Sequence, residues 1–381
     1  MKRIYLDNAS LTPIRKEVMK EMIKYSSCEY GNPSSIYTEG VNSKKATIDA
    51  RKRVASVIGA HSDEIIFTGS GTEANNLAIF GVIDGLVRSG KKCSELHAVT
   101  SMIEHASVLE TFQELEKRGV DVTYVPVDKD GILDMEIFKK SLRKETVLVS
   151  IMYVNNEIGV IEPILEIAKT IRHKKQEFNS NIILHTDASQ AGLYLDLNVE
   201  KLGIDLLTLD GHKIYGPRGV GMLYVKRGVS LLPIIYGGGQ ENGFRSATEN
   251  VPAILGFAMA IDLAKHEREK EVGRLILLKN YCIHKLISEC GAEINGDKEY
   301  RIVNNVHVSI PNVDCEFLVL QLDVKGIAVS TKSSCLRDSD ESYVLRAIGK
   351  KDPKNGIRIT FGRDTRKKDI DYLIKVLRSF I

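Results

Sequence analysis

The sequence carries little net charge: 53 Lys and Arg stand against 50 Asp and Glu, leaving a formal +3. That balance, with no basic stripe interleaved with aromatics, argues against a nucleic-acid-coating protein. Long apolar runs are also missing. The longest, Val251 to Ile261, falls short of the ~20 residues a bilayer span needs, so no membrane partner is expected. Lys2 and Arg3 meet Asp7 and Asn8 with no apolar stretch, which gives no signal peptide. The six cysteines, at 28, 93, 282, 290, 315 and 335, form no C-x-x-C pair. That excludes a finger-type zinc site, argues against a disulfide framework, and leaves no metal site expected. No fixed-period repeat and no low-complexity segment is visible. What remains is a reduced, cytoplasmic, enzyme-sized chain. At ~100–200 residues per domain, 381 residues suggest two domains with a core that needs no staple.

Short β-branched runs alternate with helical patterns through the middle of the chain. The strands expected are Glu64–Phe67, Leu96–Ser101, Val122–Pro126, Thr146–Met152, Asn181–His185, Leu206–Thr208 and Gly221–Val225. Between them, Ala106–Arg118 and Ile164–Lys175 repeat their apolar residues with helical spacing. Such alternation favours an α/β fold with a parallel sheet covered on both faces. A long helix is expected over Pro252–Glu289. After it, short strands (Arg301–Ile310, Gly326–Val329, Gly356–Thr360) and helices (Cys315–Val324, Ser342–Ile348, Arg366–Phe380) read as a smaller α+β domain.

Four expected strands end in polar residues: Thr68-Gly69-Ser70-Gly71-Thr72, Glu104-His105, His185-Thr186-Asp187-Ala188-Ser189-Gln190, and Asp210-Gly211-His212-Lys213. In open α/β sheets ligands sit beyond the carboxyl ends of the strands, so these tips are candidates for one crevice. The glycine turn before a helix is either a phosphate cradle or an ordinary capped turn, and it lacks the Lys-Ser/Thr of a Walker A loop. Lys213 is either a solvated surface charge or, partly desolvated before Gly216-Pro217, an amine fit for a Schiff base. Asp187 is either a helix cap or the carboxylate that keeps a pyridine nitrogen protonated. His105 is a core histidine, or it stacks on such a ring and moves protons. Cradle, amine, acid and imidazole together suggest pyridoxal phosphate. Cys335, among Ser333, Ser334, Lys332, Arg337 and Asp338, does not fit the usual buried cysteine; its basic neighbours favour the nucleophilic thiolate.

Collinear motifs carry a resemblance over nearly the whole chain. They are Tyr5-Leu6-Asp7-Asn8-Ala9, Gly31-Asn32-Pro33-Ser34-Ser35, Gly71-Thr72-Glu73-Ala74-Asn75-Asn76 and Glu104-His105. Val154-Asn155-Asn156-Glu157-Ile158-Gly159, Asp187-Ala188-Ser189-Gln190 and Gly211-His212-Lys213-Ile214-Tyr215-Gly216-Pro217 follow. Gly237-Gly238-Gly239-Gln240-Glu241, Arg245-Ser246-Ala247-Thr248, Cys335, Ser342-Tyr343-Val344-Leu345-Arg346-Ala347 and Arg358 complete the set. The sequence resembles the cysteine desulfurases of the NifS/IscS type, within the class V aminotransferase superfamily. The resemblance implies the type I fold of pyridoxal 5'-phosphate enzymes: a large domain with a mainly parallel seven-stranded sheet (16–260), and a small α+β domain (1–15 and 261–381) carrying the Cys335 loop. It implies that Lys213 holds the cofactor aldehyde, Asp187 pairs with the pyridine nitrogen, and His105 stacks on the ring and assists proton transfer. Gln190 and Asn156 would lie beside the ring oxygen or the substrate. Gly71, Thr72 and His212 would bind the phosphate, with Thr248 contributed by the other subunit of a homodimer. Arg358 would grip the carboxylate of L-cysteine. Cys335 would take the sulfur as a persulfide, releasing L-alanine, and an acceptor protein (an iron–sulfur scaffold or a tRNA-thiolation enzyme) would collect it.

Three departures stand out. Asp210 replaces the serine usual three residues before the lysine. Unit charges about 4 Å apart repel by ~4 kcal/mol at an effective dielectric near ~20, so Asp210 is expected to turn away from the phosphate. Lys332 replaces a glycine in a Cys335 loop about one residue shorter, and is expected to lower the thiol pKa. With Ile381 soon after the Ile370–Phe380 stretch, the IscS-like extension that docks a scaffold is expected to be absent, which leaves the acceptor open. Two other readings compete: a different class V lyase, such as a selenocysteine lyase, and a catalytically impaired, desulfurase-like regulatory subunit.

Overall fold

The computed structural model describes residues 3–311, 313–331 and 341–381. Lys332 and Cys335 lie outside the described residues. From the amino end come β1 (Ile4–Tyr5), α1 (Lys16–Ile23), α2 (Thr38–Ile58), β2 (Ile65–Thr68), α3 (Gly71–Arg88), β3 (His97–Ser101) and α4 (Ala106–Lys117). Next are β4 (Asp121–Val125), α5 (Met135–Ser141), β5 (Thr146–Ser150), α6 (Ile164–Phe178), β6 (Ile183–Asp187), α7 (Val199–Leu202), β7 (Leu206–Asp210) and β8 (Gly221–Val225). The last part holds α8 (Val251–Cys290), β9 (Glu293–Ile294), β10 (Asn305–Ser309), α9 (Cys315–Val324), β11 (Ile327–Ala328), α10 (Tyr343–Ala347), β12 (Ile357–Thr360) and α11 (Lys367–Leu377).

A seven-stranded sheet in the order β2-β8-β7-β6-β5-β3-β4 forms the centre. Every strand but the edge strand β4 is buried along its whole length, because both faces are covered. Successive side chains serve opposite faces. Ile65 and Phe67 enter one core with α2, α6 and α8, while Ile66 enters the other with α3 and α4. Leu207 and Leu206 divide in the same way. The sheet is mainly parallel, as expected, but β8 runs antiparallel to both neighbours, β7 and β2. β2 is therefore parallel to β7, and its carboxyl end lies on the same edge as those of β3, β5, β6 and β7.

The expected helix after residue 250 is a single 40-residue α8, about 60 Å long, begun by an Asn250 cap on the Ala253 N–H and ended at Gly291. Beyond it, β12, β10 and β9 make an antiparallel sheet, with Arg358 opposite His307. β1 pairs with β11 and joins the amino end to this part of the molecule. From there residues 7–12 run across to the carboxyl edge of the large sheet, where Thr12 donates to the His212 carbonyl at 2.7 Å.

Candidate active site

The four polar tips share one cavity of about 190 Å³. Gly71, Thr72, His105, Asn156, Asp187, Gln190, His212, Lys213 and Arg358 all line it. Thr248 is exposed and lies outside it.

Lys213 ends a tight turn that Asp210 caps, its Oδ1 accepting the His212 N–H at 3.2 Å. The amine donates to the carbonyls of Ala9 (2.8 Å) and Ser10 (2.7 Å), so the amino-terminal crossing segment positions it. Two residues on, Tyr215 adopts φ 61°, a left-handed backbone rare outside glycine. It is held there because its N–H donates to Thr12 Oγ1 at 2.7 Å.

Asp187 is buried at the end of β6. Its Oδ1 accepts the Ser189 N–H at 2.9 Å and its Oδ2 accepts Asn75 Nδ2 at 2.8 Å. Asn75 Nδ2 also reaches Ser107 Oγ at 2.8 Å, and Ser107 Oγ lies 2.8 Å from His105 Nδ1. The Ser107 N–H donates to the same Nδ1, so His105 caps α4 through Nδ1 and leaves Nε2 as the proton-bearing nitrogen. Acid and imidazole are thus tied through Asn75 and Ser107, two residues that sequence reading did not single out. Their signal was positional: Asn75 stands one helical turn after Gly71, and Ser107 is the second residue of α4.

Below this layer burial works against charge. His185 joins Ser150 Oγ and Thr208 Oγ1 at 2.8 and 3.1 Å, and burial lowers its pKa to about 4. Glu104, adjoining His105, accepts from Ser101 Oγ (2.6 Å) and the Met152 N–H (2.9 Å), yet burial raises its pKa to about 8.

Arg358 is buried on β12. Nη1 donates to the Asn156 carbonyl at 2.9 Å, and Nη2 to Asp7 Oδ1 and Ser10 Oγ at 2.8 and 3.3 Å. Gln190 Nε2 donates to the Ala9 carbonyl at 3.0 Å.

The glycine turn packs against a glycine of the sheet. A Cβ at Gly221 of β8 would lie 2.6 Å from the Ser70 carbonyl carbon, so only glycine lets the turn press this close to the sheet. At the turn itself, the Gly69 N–H goes to Glu73 Oε2 at 2.9 Å, and Glu73 is paired with Arg245 at 2.8 Å. One expectation is corrected here. Asp210 does not turn away from the cradle: Oδ2 accepts the Gly71 N–H at 2.8 Å, and Oδ1 sits 2.5 Å from His212 Nδ1. The donors at the head of α3 and on His212 attract the carboxylate inward, an attraction invisible when only its repulsion of a phosphate is weighed.

The aminotransferase class-V family model matches residues 4–373. The cysteine desulfurase IscS of Dictyoglomus turgidum is 45% identical, over 100% of this chain and 95% of its own length. Among solved structures, a NifS-like protein superposes with a TM-score of 0.91 at 34% identity, covering 99% of this chain and 98% of its own. SspA in complex with cysteine gives 0.80 at 33% identity, with 94% and 98% covered. The chain belongs to the class-V aminotransferase family, and within it to the cysteine desulfurases of the NifS/IscS type.

Its cofactor is pyridoxal 5'-phosphate, as in that family. The cavity suits it: a positioned amine, a buried carboxylate, and Asn156, whose Oδ1 is buried with no hydrogen-bond partner among the described residues. At the phosphate end the fit is tighter, because Asp210 already stands there.

Proposed function

We propose that this chain takes the sulfur of L-cysteine onto Cys335 and releases L-alanine. The observation that carries this reading is the meeting of Lys213, Asp187, His105 and Arg358 around one cavity. Bound pyridoxal 5'-phosphate supplies an electron sink that makes the substrate Cα–H acidic. The chain's own groups do the rest. Lys213 anchors the cofactor and moves the Cα proton. Asp187, oriented by Asn75 and Ser189, keeps the ring nitrogen protonated. His105, proton on Nε2, delivers protons on the cavity side. Arg358 is the cation for the substrate carboxylate; its planar fork suits a two-oxygen partner. The Cys335 thiolate attacks the substrate sulfur, the carbon–sulfur bond breaks, a sulfur–sulfur bond forms, and the carbon fragment leaves as alanine after protonation.

The same reading assigns the sulfur to an acceptor protein, an iron–sulfur scaffold or a tRNA-thiolation enzyme, and places the enzyme in the cytoplasm. No helix among the described residues is long and apolar enough to cross a membrane. It also makes the enzyme a homodimer, with Thr248 of each protomer serving the other's phosphate site. Ile23, Tyr30, Ile36 and Tyr37 are exposed apolar residues around α1 and α2, and Ile36 is 96% exposed, which supports a covered face there. A division into 16–260 and 1–15 with 261–381 would place the boundary within α8.

The test is a spectral titration of the purified holoprotein with L-cysteine, with alanine assayed in the same tube. A cofactor band that shifts as alanine accumulates supports the reading. A shifting band without alanine, or alanine formation that survives Cys335→Ala, favours another class V lyase.

A further inference from the structure

Asp210 stands where β7 meets the head of α3. Its Oδ2 accepts the Gly71 N–H at 2.8 Å, and its Oδ1 accepts the His212 N–H at 3.2 Å and lies 2.5 Å from His212 Nδ1. The side chain is 8% exposed and borders the same cavity as Lys213. Burial pushes its pKa up, but His212, the Gly71 N–H and Lys213 outweigh that and hold it below the ordinary aspartate value. A negative charge therefore already fills the positive end of α3, where an anionic ligand would otherwise be drawn. A separate group shows that this cavity is built for a ligand. Asn156 is 7% exposed, lines the cavity, and buries an Oδ1 that has no partner among the described residues. The cavity is thus open at its Lys213–Asn156 side and filled by the chain's own anion at its α3 side.

We propose that Asp210 competes intramolecularly with the cofactor's phosphate: its carboxylate holds the Gly71 and His212 donors that the ester would take, so the ester adds little to cofactor affinity in this chain. The inference rests on pyridoxal 5'-phosphate being the occupant of the site. Two anions cannot share one set of donors, and close approach of like charges inside a cavity is unfavourable. The cofactor is then held chiefly through Lys213 and Asp187, the hydroxyls of Thr72 and of the partner subunit's Thr248 being the donors left to its ester, and its occupancy follows the free cofactor concentration. Asp210 also caps the turn that carries Lys213. Serine keeps that cap, since its hydroxyl is an equally good acceptor, and removes the charge.

The experiment is an equilibrium titration of the cofactor-stripped full chain with pyridoxal 5'-phosphate and, separately, with pyridoxal, read by absorbance of the bound ring. In the wild type the two dissociation constants should lie within about tenfold of each other. Asp210→Ser should widen that ratio by at least about tenfold, and Asp210→Asn should widen it in the same direction. Inorganic phosphate alone should raise the melting temperature of Asp210→Ser and leave the wild type unchanged. Asp210→Asn is nearly isosteric and carries the test if the serine variant does not fold. A ratio unmoved by either substitution overturns the inference and leaves the cofactor assignment standing. Failure of the wild type and both variants to bind pyridoxal 5'-phosphate overturns both.

Discussion

Arg358 Nη2 donates to Asp7 Oδ1 at 2.8 Å, joining the second-last element of the chain, β12, to its first few residues beside the cavity that Arg358 lines. The guanidinium is 2% exposed, so Asp7 is the charge that balances it in the absence of a substrate carboxylate. Removing one partner of a buried ion pair typically costs about 3–5 kcal/mol. Asp7 is 18% exposed, which brings the expectation for Asp7→Ala nearer 2–3 kcal/mol, measured by chemical denaturation. Arg358→Lys loses the planar fork, so KM for L-cysteine should rise at least about tenfold with a smaller change in kcat. A kcat loss with KM intact would place Arg358 away from the substrate carboxylate.

Asn75 holds Asp187 and, through Ser107, His105. Asn75→Ala leaves a buried carboxylate short of a donor, at a cost of about 1–3 kcal/mol. We expect a lower melting temperature and a roughly tenfold fall in kcat. A purely structural role would spare the spectrum. The expected result is instead a changed pH dependence of the cofactor's visible band, because the proposed role of Asp187 is to set the protonation of the ring nitrogen.

Glu104 gives the fold a pH signature. Its carboxyl titrates near about 8 in the folded protein, against 4.5 ordinarily. Between those values the folded chain binds a proton that the unfolded chain has lost. This contribution to stability is therefore full below pH ~4.5 and declines as the pH rises towards about 8. Glutamine mimics the protonated form and keeps an oxygen for Ser101 and the Met152 N–H. Glu104→Gln should stabilise the protein by about 1–3 kcal/mol at pH 8 and by progressively less towards pH 5. A stability difference that stays constant across that range would contradict the assignment.

The strands of the large sheet are legible in the sequence because β-branched, doubly covered runs leave a plain signal; β8 matches Gly221–Val225 residue for residue. Its reversed direction is not legible, since apolar composition carries no polarity. β1 is two residues long and owes its existence to pairing with β11, more than 300 positions away. α2 is not legible because its first part buries Gly40, Ser43, Thr47 and Ala50, small or polar residues that make no apolar stripe, and apolar Val54, Val57 and Ile58 come only in its last turns. In the site, groups at strand ends were legible because the fold class says where strand ends go. Asn75 and Asp7 were not, because the face a helical residue presents and the partner a buried arginine selects are settled by tertiary packing. The inward orientation of Asp210 is not legible either, since its attraction to Gly71 and His212 depends on how β7 approaches α3.

Sulfur transfer to Cys335 is tested most directly by the mass of the intact protein after brief exposure of the holoenzyme to L-cysteine without an acceptor. The expected result is a gain of one sulfur atom, located on Cys335 by peptide mapping, reversed by a thiol reductant, and accompanied by one equivalent of alanine. In Cys335→Ala both the added mass and the alanine should vanish while the cofactor band persists. Alanine formed at an undiminished rate by Cys335→Ala, with no sulfur on the wild-type chain, would contradict it.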